Sequence, residues 1–466
     1  MQRFIARKAQ PCYNLTIQTD ARSGPAASRL KGWHTMQKTD PRYHHFVQIL
    51  REELVPAMGC TEPIALAYGA AKAREVLGRI PDSVVIEASG NIIKNVKSVV
   101  VPNTGGLKGI EAAAVAGIIG GKADRILEVI SEVTDEEKQQ MREYLATHKV
   151  TVKPAESDIV FDIVIRLSAG SESVCLRIAD YHTNIVLIER NGEVLLSSGK
   201  VTENVEMKGL TDRSCMSVEA AIDFADTCDL QDVCALIERQ IAYNYAIAEE
   251  GMNNIWGANI GKTLRDFYGD DVKNRAKYMA AAGSDARMSG CEMPVIIVSG
   301  SGNQGITASV PVIVYAKHLG VSHEAMLRAV LLSDLLTIHL KTGIGRLSAY
   351  CGAVSAGCSA AAAIAHLCGG GLADVAHTLV NSLAIVSGMI CDGAKASCAA
   401  KIASSIDAGL LGWCMYQNGQ QFYGGDGVIT KGVEATIVNI GRLGRVGMRE
   451  TDKEIIRIMT DQPCVG

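Results

Sequence analysis

The chain has 466 residues, of which 48% are hydrophobic and 14 are cysteines, and its formal net charge is −4. This length allows two or three domains with an ample core. The charge balance, without a basic helix or an aromatic-studded patch, excludes a nucleic-acid-binding protein. The large size, the irregular cysteine spacing and the lack of a convincing signal peptide favour a reducing compartment, so we expect a cytoplasmic enzyme.

The first 35 residues differ in composition from the rest of the chain. They contain six basic residues and a single acidic residue, Asp20. A transit peptide has such a composition, but translation starting at Met36 would explain the segment equally simply. We predict that residues 1–35 are a disordered extension or an artefact of an upstream start.

Residues 36–80 are predicted to form two helical segments around the motif Met-Gly-Cys-Thr-Glu-Pro at positions 58–63. Proline is favoured in the first turn of a helix, so Pro63 places Cys60 at or just before a helix N-terminus. The positive end of a helix lowers the pKa of a thiol, which predicts that Cys60 is a base or a nucleophile. A small residue in a tight turn is the alternative for Cys60 taken alone.

Residues 81–216 have the pattern of an α/β domain. Short runs rich in Val and Ile predict strands at 83–88, 98–101, 159–165, 174–178 and 184–188. Helices are predicted between them, at 110–120 and 134–148. His182 comes at the start of the last predicted strand, where a polar side chain often faces a ligand, although a lone histidine is more often structural.

Residues 217–466 are predicted to be helical almost throughout, and they are rich in Ala and Gly. The nearly uncharged run 355–373 is rich in Ala and Gly rather than Leu, so we predict a buried helix and not a membrane span. Segment 36–80 is expected to pack with this domain. The predicted fold is therefore α+β and mostly α, an Ala/Gly-rich helical domain with an inserted α/β domain.

A glycine-rich loop, Ser-Gly-Ser-Gly-Asn-Gln-Gly-Ile-Thr, occupies positions 299–307. It contains the pattern G-x-G-x-x-G, but the fingerprint of a dinucleotide site belongs inside a βαβ unit, and the sequence around the loop is helical. Backbone N–H groups, with the side-chain amides of Asn303 and Gln304, suit a small carboxylate equally well. We therefore predict a carboxylate site.

Three cysteines near the C-terminal end, Cys351, Cys391 and Cys398, have the chemistry of iron–sulfur ligands. A continuous helix would separate the last two sulfurs by about 10 Å, but Gly388 and Gly393 allow a broken turn. Three ligands would leave one iron open as a Lewis acid. The spacing is not a standard one, so spacing alone favours ordinary packing of small buried residues.

Taken together, the motifs of this chain resemble those of the L-cysteine desulfidases, which are relatives of the iron–sulfur L-serine dehydratases. The resemblance runs from about residue 37 to the end, with a serine dehydratase alpha-chain-like domain on the C-terminal side. It is carried, in order, by the motif at 58–63 and by His-Thr-Asn-Ile-Val at 182–186, Ser-Asp-Ala-Arg-Met at 284–288, the loop at 299–308, Arg-Leu-Ser-Ala-Tyr-Cys at 346–351 and Ser-Gly-Met-Ile-Cys-Asp-Gly-Ala-Lys at 387–395.

The resemblance implies a [4Fe–4S] cluster on Cys351, Cys391 and Cys398, bound by the helical domain, and a catalytic thiol at Cys60. It implies a lyase that eliminates hydrogen sulfide from L-cysteine and yields pyruvate and ammonia through an aminoacrylate. The residues expected to contact the substrate are Thr61, Glu62, His182, Asn184, Arg287, Asn303 and Gln304. Arg287 either clamps the substrate carboxylate or pairs with Asp285 at a helix end.

Pyridoxal phosphate is the other familiar cofactor for such an elimination, and it requires a Schiff-base lysine in a phosphate-binding fold. Lys341, Lys395 and Lys401 are available, but none lies in a motif typical of that cofactor, so no pyridoxal phosphate is expected. Lys395 lies between two predicted ligands, where it either tunes the local charge or is a solvated loop residue.

Two other functions stay open at this stage. One is an L-serine dehydratase, or a lyase for another β-substituted amino acid, with the same cluster. The second is a sensor of amino acids or redox state without catalysis. We expect a small amino-acid substrate and neither nucleic acid nor membrane as partner, we leave a homodimer open, and we expect Cys464, close to the chain end, to be dispensable.

Overall fold

The computed structural model describes residues 36–157, 159–198 and 210–459, and helices make up most of them. The predicted N-terminal extension and Cys464 lie outside these residues. The helices of the first half are α1 (Pro41–Glu53), α2 (Thr61–Leu77), α3 (Gly90–Val96), α4 (Gly109–Gly120) and α5 (Asp135–Thr147). The helices of the second half are α6 (Val218–Thr227), α7 (Cys234–Asn253), α8 (Ile260–Tyr268), α9 (Val272–Met288), α10 (Gly302–Leu319), α11 (His323–Ile344), α12 (Gly352–Leu367), α13 (Leu372–Ile385), α14 (Cys398–Gln417), α15 (Val433–Arg442) and α16 (Arg449–Met459).

Eight strands in the described ranges form one large sheet and one small ribbon. The strands are β1 (Pro56–Met58), β2 (Ser83–Ala88), β3 (Val150–Pro154), β4 (Asp162–Ala169), β5 (Glu172–Ala179), β6 (Ile185–Arg190), β7 (Glu193–Ser197) and β8 (Pro294–Ile296). The sheet has the order β3-β2-β4-β5-β6-β7, in which β2 and β3 are parallel and the other pairs antiparallel. Strands β1 and β8 pair antiparallel, with Ala57 opposite Val295.

Helix α2 is buried along most of its length because its sequence is rich in small apolar residues. It packs on strands β4 and β5 of the sheet and crosses α4 closely. At the crossing, Gly117 of α4 faces the carbonyl group of Ala67, and a Cβ atom at Gly117 would collide with it. This crossing holds the helix that begins next to Cys60.

The second half of the chain is a layered helical bundle around α12. Helix α12 has a nearly continuous buried surface, as expected for the Ala-rich segment, and it packs against α10, α11, α13 and α14. Helix α1 also packs with this half, since Phe46 stacks on Phe224 of α6 with ring centroids 5.0 Å apart. No helix in the described part of the chain is long and apolar enough to cross a membrane.

The mixed, mostly helical architecture confirms the α+β prediction, and the α/β elements lie in sequence between α2 and the C-terminal helices. The domain boundaries at 36–80, 81–216 and 217–466 stay a prediction. The strand predicted at 98–101 is wrong, because there only Val100 makes an isolated bridge, to Lys108. Sequence reasoning also missed β3, β7 and α3, which are only five to seven residues long.

We expect Gly117→Ala to destabilise the protein, because the new methyl group has no room beside the backbone of α2. Overpacking of this kind costs about 1–3 kcal/mol. Urea unfolding followed by circular dichroism measures the effect. The matched control is Gly371→Ala, where the added Cβ meets open space. An unchanged unfolding midpoint for Gly117→Ala would contradict the close helix crossing.

Candidate functional site

Cys60 lies at the N-cap of α2, with its backbone extended at φ −80° and ψ 134°, which confirms the predicted helix start. The residue is buried, with 3% of its surface exposed. The next residue fixes the position of the helix end, since the Thr61 hydroxyl donates to the carbonyl oxygen of Gly300 at 2.8 Å. The N-terminus of α2 is thus attached to the glycine-rich loop, 239 residues further along the chain.

The Cys60 thiol is paired with a buried carboxylate. Its Sγ donates to Oε2 of Glu62 at 3.1 Å, and Nδ2 of Asn95 donates to Oε1 of the same carboxylate, also at 3.1 Å. His182 Nε2 is 3.9 Å from that Oε1, a distance for a charge interaction rather than a direct hydrogen bond. Burial raises the pKa of Glu62, but His182 and the Cys60 thiol outweigh burial and bring that pKa to about 2.

The prediction that the helix terminus lowers the pKa of Cys60 is wrong. Burial raises the pKa of this thiol well above its ordinary value, and the negative charge of Glu62 raises it further. Arg287 acts in the opposite direction and lowers the pKa, but it does not outweigh burial. In the free protein, therefore, Cys60 is a thiol that donates to Glu62, and a thiolate at this position requires a change in this balance of charges.

Arg287, in the last turn of α9, is a buried guanidinium close to Cys60. Its Nε and Nη2 atoms have no hydrogen-bond partner among the described residues. The alternative that it pairs with Asp285 finds no support, since Oδ2 of Asp285 accepts the backbone N–H of Gly261 at 3.0 Å. The Arg287 side chain lies instead against Gly302, the first residue of α10.

The glycine-rich loop ends at the N-terminus of α10, with Ser301 as an N-cap that makes no side-chain capping bond. Within the described residues, the buried Oδ1 of Asn303 and Oε1 of Gln304 also lack hydrogen-bond partners. The Gln304 side chain lies against Gly352, next to Cys351. A helix N-terminus beside a buried guanidinium has the features expected of an anion site.

Of the two polar residues predicted near β6, only His182 reaches this site. His182 is buried, packs edge-on against Phe161, and faces Gly300 as well as Glu62. It lies in the turn before β6 rather than on the strand. Nδ2 of Asn184 donates to the carbonyl oxygen of Ala179 at 2.9 Å and closes that turn, so its visible role is structural.

Two of the three predicted ligand cysteines lie at helix N-termini, and the third, Cys391, lies on the loop between α13 and α14. Cys351 is the N-cap of α12, and Cys398 is the first residue of α14. The backbone N–H of Cys391 donates to the carbonyl oxygen of Ala349 at 2.6 Å, which binds the loop to the segment before Cys351. Gly393, at φ 94°, supplies the predicted break before the helix resumes.

These thiols are close enough to influence one another. Burial raises the pKa of Cys351 to about 12, and the charge of Cys391 contributes to this rise. Burial and the charge of Cys391 also raise the pKa of Cys398. Positive charge surrounds them: Lys401 and Lys395 both pair with Asp392, and Lys341 is buried nearby. Burial lowers the pKa of Lys341 to about 8, against the opposing influence of Cys391 and Cys351.

In the described part of the chain, no group of three or more His, Cys, Asp or Glu side chains is arranged to hold a single metal ion. The cysteines nevertheless adjoin the Cys60 site. Cys60, Val99 and Met288 form a small apolar cluster, and Ala394 and Cys398 pack against it. The thiol paired with Glu62 and the three-cysteine group therefore share one wall, through Cys398.

Several residues of the site escaped sequence reasoning. Asn95 holds Glu62, and Lys94 beside it donates to the carbonyl oxygen of Cys391 at 3.5 Å. Arg346 belongs to the motif at 346–351 but was not predicted as a site residue; it donates to Glu53 at 2.9 Å and, like His182, lies close to Gly300. The available signal in α3 was three polar residues, Asn91, Lys94 and Asn95, within a short apolar segment.

Comparison with known proteins places this site in a family. The family model described as serine dehydratase alpha chain matches residues 124–457. The chain belongs to the serine dehydratase alpha chain family. The matched part contains Arg287, the glycine-rich loop and the three clustered cysteines, whereas Cys60 precedes it.

Similar curated proteins extend the likeness to nearly the whole chain. A UPF0597 protein of Desulfitobacterium hafniense is 61% identical over 92% of this chain and 99% of its own length. UPF0597 proteins of Lachnoclostridium phytofermentans and Fusobacterium nucleatum are 49% and 46% identical, over 90% and 89% of this chain and 99% and 98% of their own. These alignments are long enough to include the Cys60 motif together with the serine dehydratase alpha chain region.

We expect Glu62→Gln to make Cys60 more reactive toward iodoacetamide. Only the thiolate reacts, and removal of the negative charge lowers the raised pKa of the thiol, so the alkylation profile moves to lower pH. Mass spectrometry of the peptide containing Cys60, sampled from pH 6 to about 10, measures the profile. Glu136→Gln, on the exposed first turn of α5, is the control. A profile unchanged by Glu62→Gln would contradict the thiol–carboxylate pair.

Proposed function

We propose that this protein is a carbon–sulfur lyase that converts L-cysteine and water into pyruvate, ammonia and hydrogen sulfide. The observation that carries the proposal is the shared wall between the Cys60–Glu62 pair and the group of Cys351, Cys391 and Cys398. An elimination needs a base for the α-proton and an acid for the leaving group, and two adjacent centres meet this need. Membership of the serine dehydratase alpha chain family supports a lyase-type enzyme.

The substrate carboxylate binds at the N-terminus of α10. The unpartnered N–H groups of Arg287 point to an anion at this place, and the amide side chains of Asn303 and Gln304 offer donors after a flip of orientation. A bound carboxylate would accept hydrogen bonds from the guanidinium of Arg287, whose burial without a partner is otherwise energetically unfavourable. Its binding fixes the α-carbon beside the Cys60 thiol.

The substrate ammonium group activates Cys60 by neutralising Glu62. In the free protein the carboxylate raises the pKa of the thiol, while Arg287 lowers it. An ammonium group hydrogen-bonded to Glu62 removes the first influence and leaves the second, so the pKa of Cys60 falls when substrate binds. The thiol gives up its proton to water, the resulting thiolate takes the α-proton, and Asn95 keeps the carboxylate in place.

The chemistry of the donor set fits a [4Fe–4S] cluster held by Cys351, Cys391 and Cys398. Besides burial, the charge of Cys391 raises the pKa of Cys351 and Cys398, which lie at the N-termini of α12 and α14. Lys341 and Lys401 are nearby to balance the negative charge of thiolates. Such a cluster, when bound, supplies a Lewis acid for the departing sulfur. Because burial raises the pKa of Cys351 and Cys398, binding of these two residues as thiolates releases protons and is favoured by rising pH.

The product of the elimination forms beside buried side chains. Loss of the α-proton and of sulfide leaves an aminoacrylate, which gains a proton at its β-carbon and is hydrolysed by water to pyruvate and ammonia. His182, buried between Phe161 and Gly300, is positioned to orient that proton or the attacking water beside Glu62. No pyridoxal phosphate enters this scheme.

L-serine is the second candidate substrate, because the family model carries the name of the serine dehydratase alpha chain. The buried apolar wall of Val99 and Met288 beside Cys60 favours the less polar thiol of cysteine over a hydroxyl group. A sensor without catalysis would not require a thiol held against a carboxylate next to a buried, unpartnered guanidinium.

Anaerobically purified protein is expected to release pyruvate and sulfide in equal amounts from L-cysteine, and less pyruvate from L-serine. Cys60→Ala should keep its iron and lose turnover by roughly a hundredfold or more, because a general base is removed. Lactate dehydrogenase coupling and a sulfide electrode measure the two products.

The variant Cys368→Ala, at the exposed end of α12, is the control and should retain activity and iron. Loss of iron is expected instead for alanine at Cys351, Cys391 or Cys398. Full activity of Cys60→Ala would show that Cys60 is not the base. Faster turnover of L-serine would favour the dehydratase, and the absence of pyruvate from both substrates would favour the sensor.

A further inference from the structure

Helix α3 touches both halves of the site through two consecutive side chains. Asn95 Nδ2 donates to Glu62 at 3.1 Å, and Lys94 Nζ lies 3.5 Å from the carbonyl oxygen of Cys391. The backbone makes a third contact, since the carbonyl group of Lys94 lies so close to Gly393 that a Cβ atom there would collide with it. A shift of α3 would therefore move the partner of Cys60 and the Cys391 loop together.

The Lys94 ammonium is itself held by the last described helix. The side chain of Lys94 is 1% exposed, and it pairs with Asp452 of α16 at 2.5 Å. Other contacts of α16 lie around this ion pair: Ile456 packs on Gly90, the carbonyl oxygen of Met459 accepts from Lys97, and Ile455 is buried. A buried ion pair broken on one side leaves an uncompensated charge, so Lys94 depends on Asp452.

We propose that Asp452 and Lys94 are positioning residues that fix the Cys391 loop relative to the Cys60–Glu62 pair. Asp452 sits outside the site and acts through Lys94, which links α16 to the loop. Asn95, next to Lys94, carries the same constraint to Glu62. The functional meaning of this link rests on the proposed function, whereas the link itself concerns only contacts between residues of this chain.

The test compares Asp452→Asn with wild type in full-length protein freed of metal by a chelator under anaerobic conditions. Iodoacetamide labelling of Cys391 should become faster by roughly tenfold, because the loop opens locally once Lys94 loses its partner. Cys228, buried in the helical half, serves as internal reference and should keep its rate. The control Glu450→Gln removes an exposed charge of the same helix and should change neither rate.

A second variant separates positioning from stability. Lys94→Met with Asp452→Leu removes both charges at once, so it leaves no buried charge unpaired and is expected to fold. The loss of the Lys94 contact should still speed labelling of Cys391. In the anaerobic holoenzyme both variants should lower kcat more than they change KM for L-cysteine, and Asp452→Glu should restore most of kcat.

Equal acceleration of Cys391 and Cys228 in Asp452→Asn would make the ion pair a contributor to global stability only, and would overturn the proposal. Wild-type labelling of Cys391 in the double variant would overturn it as well. The labelling result does not depend on turnover. If no pyruvate forms from either substrate while labelling of Cys391 alone becomes faster, the proposed function fails and the positioning role stands.

Discussion

The hydrogen bond from the Thr61 hydroxyl to the carbonyl oxygen of Gly300 is the constraint on which the rest of the site depends. At 2.8 Å it fixes the start of α2 to the loop that begins α10. Cys60 lies at one of these helix starts, and Asn303 and Gln304 lie at the other, so the bond holds the thiol and the glycine-rich loop together. The close crossing of α2 and α4 behind this bond prevents the helix from sliding away.

Burial sets the chemical state of three thiols at the site. It raises the pKa of Cys60, Cys351 and Cys398, so these residues hold their protons until a charge arrives to replace them. Neighbouring cations make that exchange feasible, Arg287 beside Cys60 and Lys401 beside Cys351. In our proposal the substrate ammonium group changes the charge at one centre and the cluster changes it at the other.

The sequence was sufficient for those parts of the fold that local signals determine. Pro63 predicted the start of α2, Gly393 predicted the turn before α14, and the Ala-rich run predicted the buried α12. The sequence did not show which distant segments contact one another. The pKa of Cys60 was predicted in the wrong direction because the helix end was visible in the sequence, while burial and the hydrogen bond to Glu62 were not. Lys94 and Asp452, 358 residues apart, carry no motif at all.

The central claim is that metal chemistry and acid–base chemistry belong to two adjacent but separate groups of cysteines. The most direct measurement is an anomalous difference map at the iron absorption edge, from crystals of protein purified and grown without oxygen. The account predicts an iron peak bounded by the sulfurs of Cys351, Cys391 and Cys398, with the Cys60 sulfur outside ligand distance and near Glu62. An iron peak bonded to the Cys60 sulfur, or no iron at the three clustered cysteines, would contradict it.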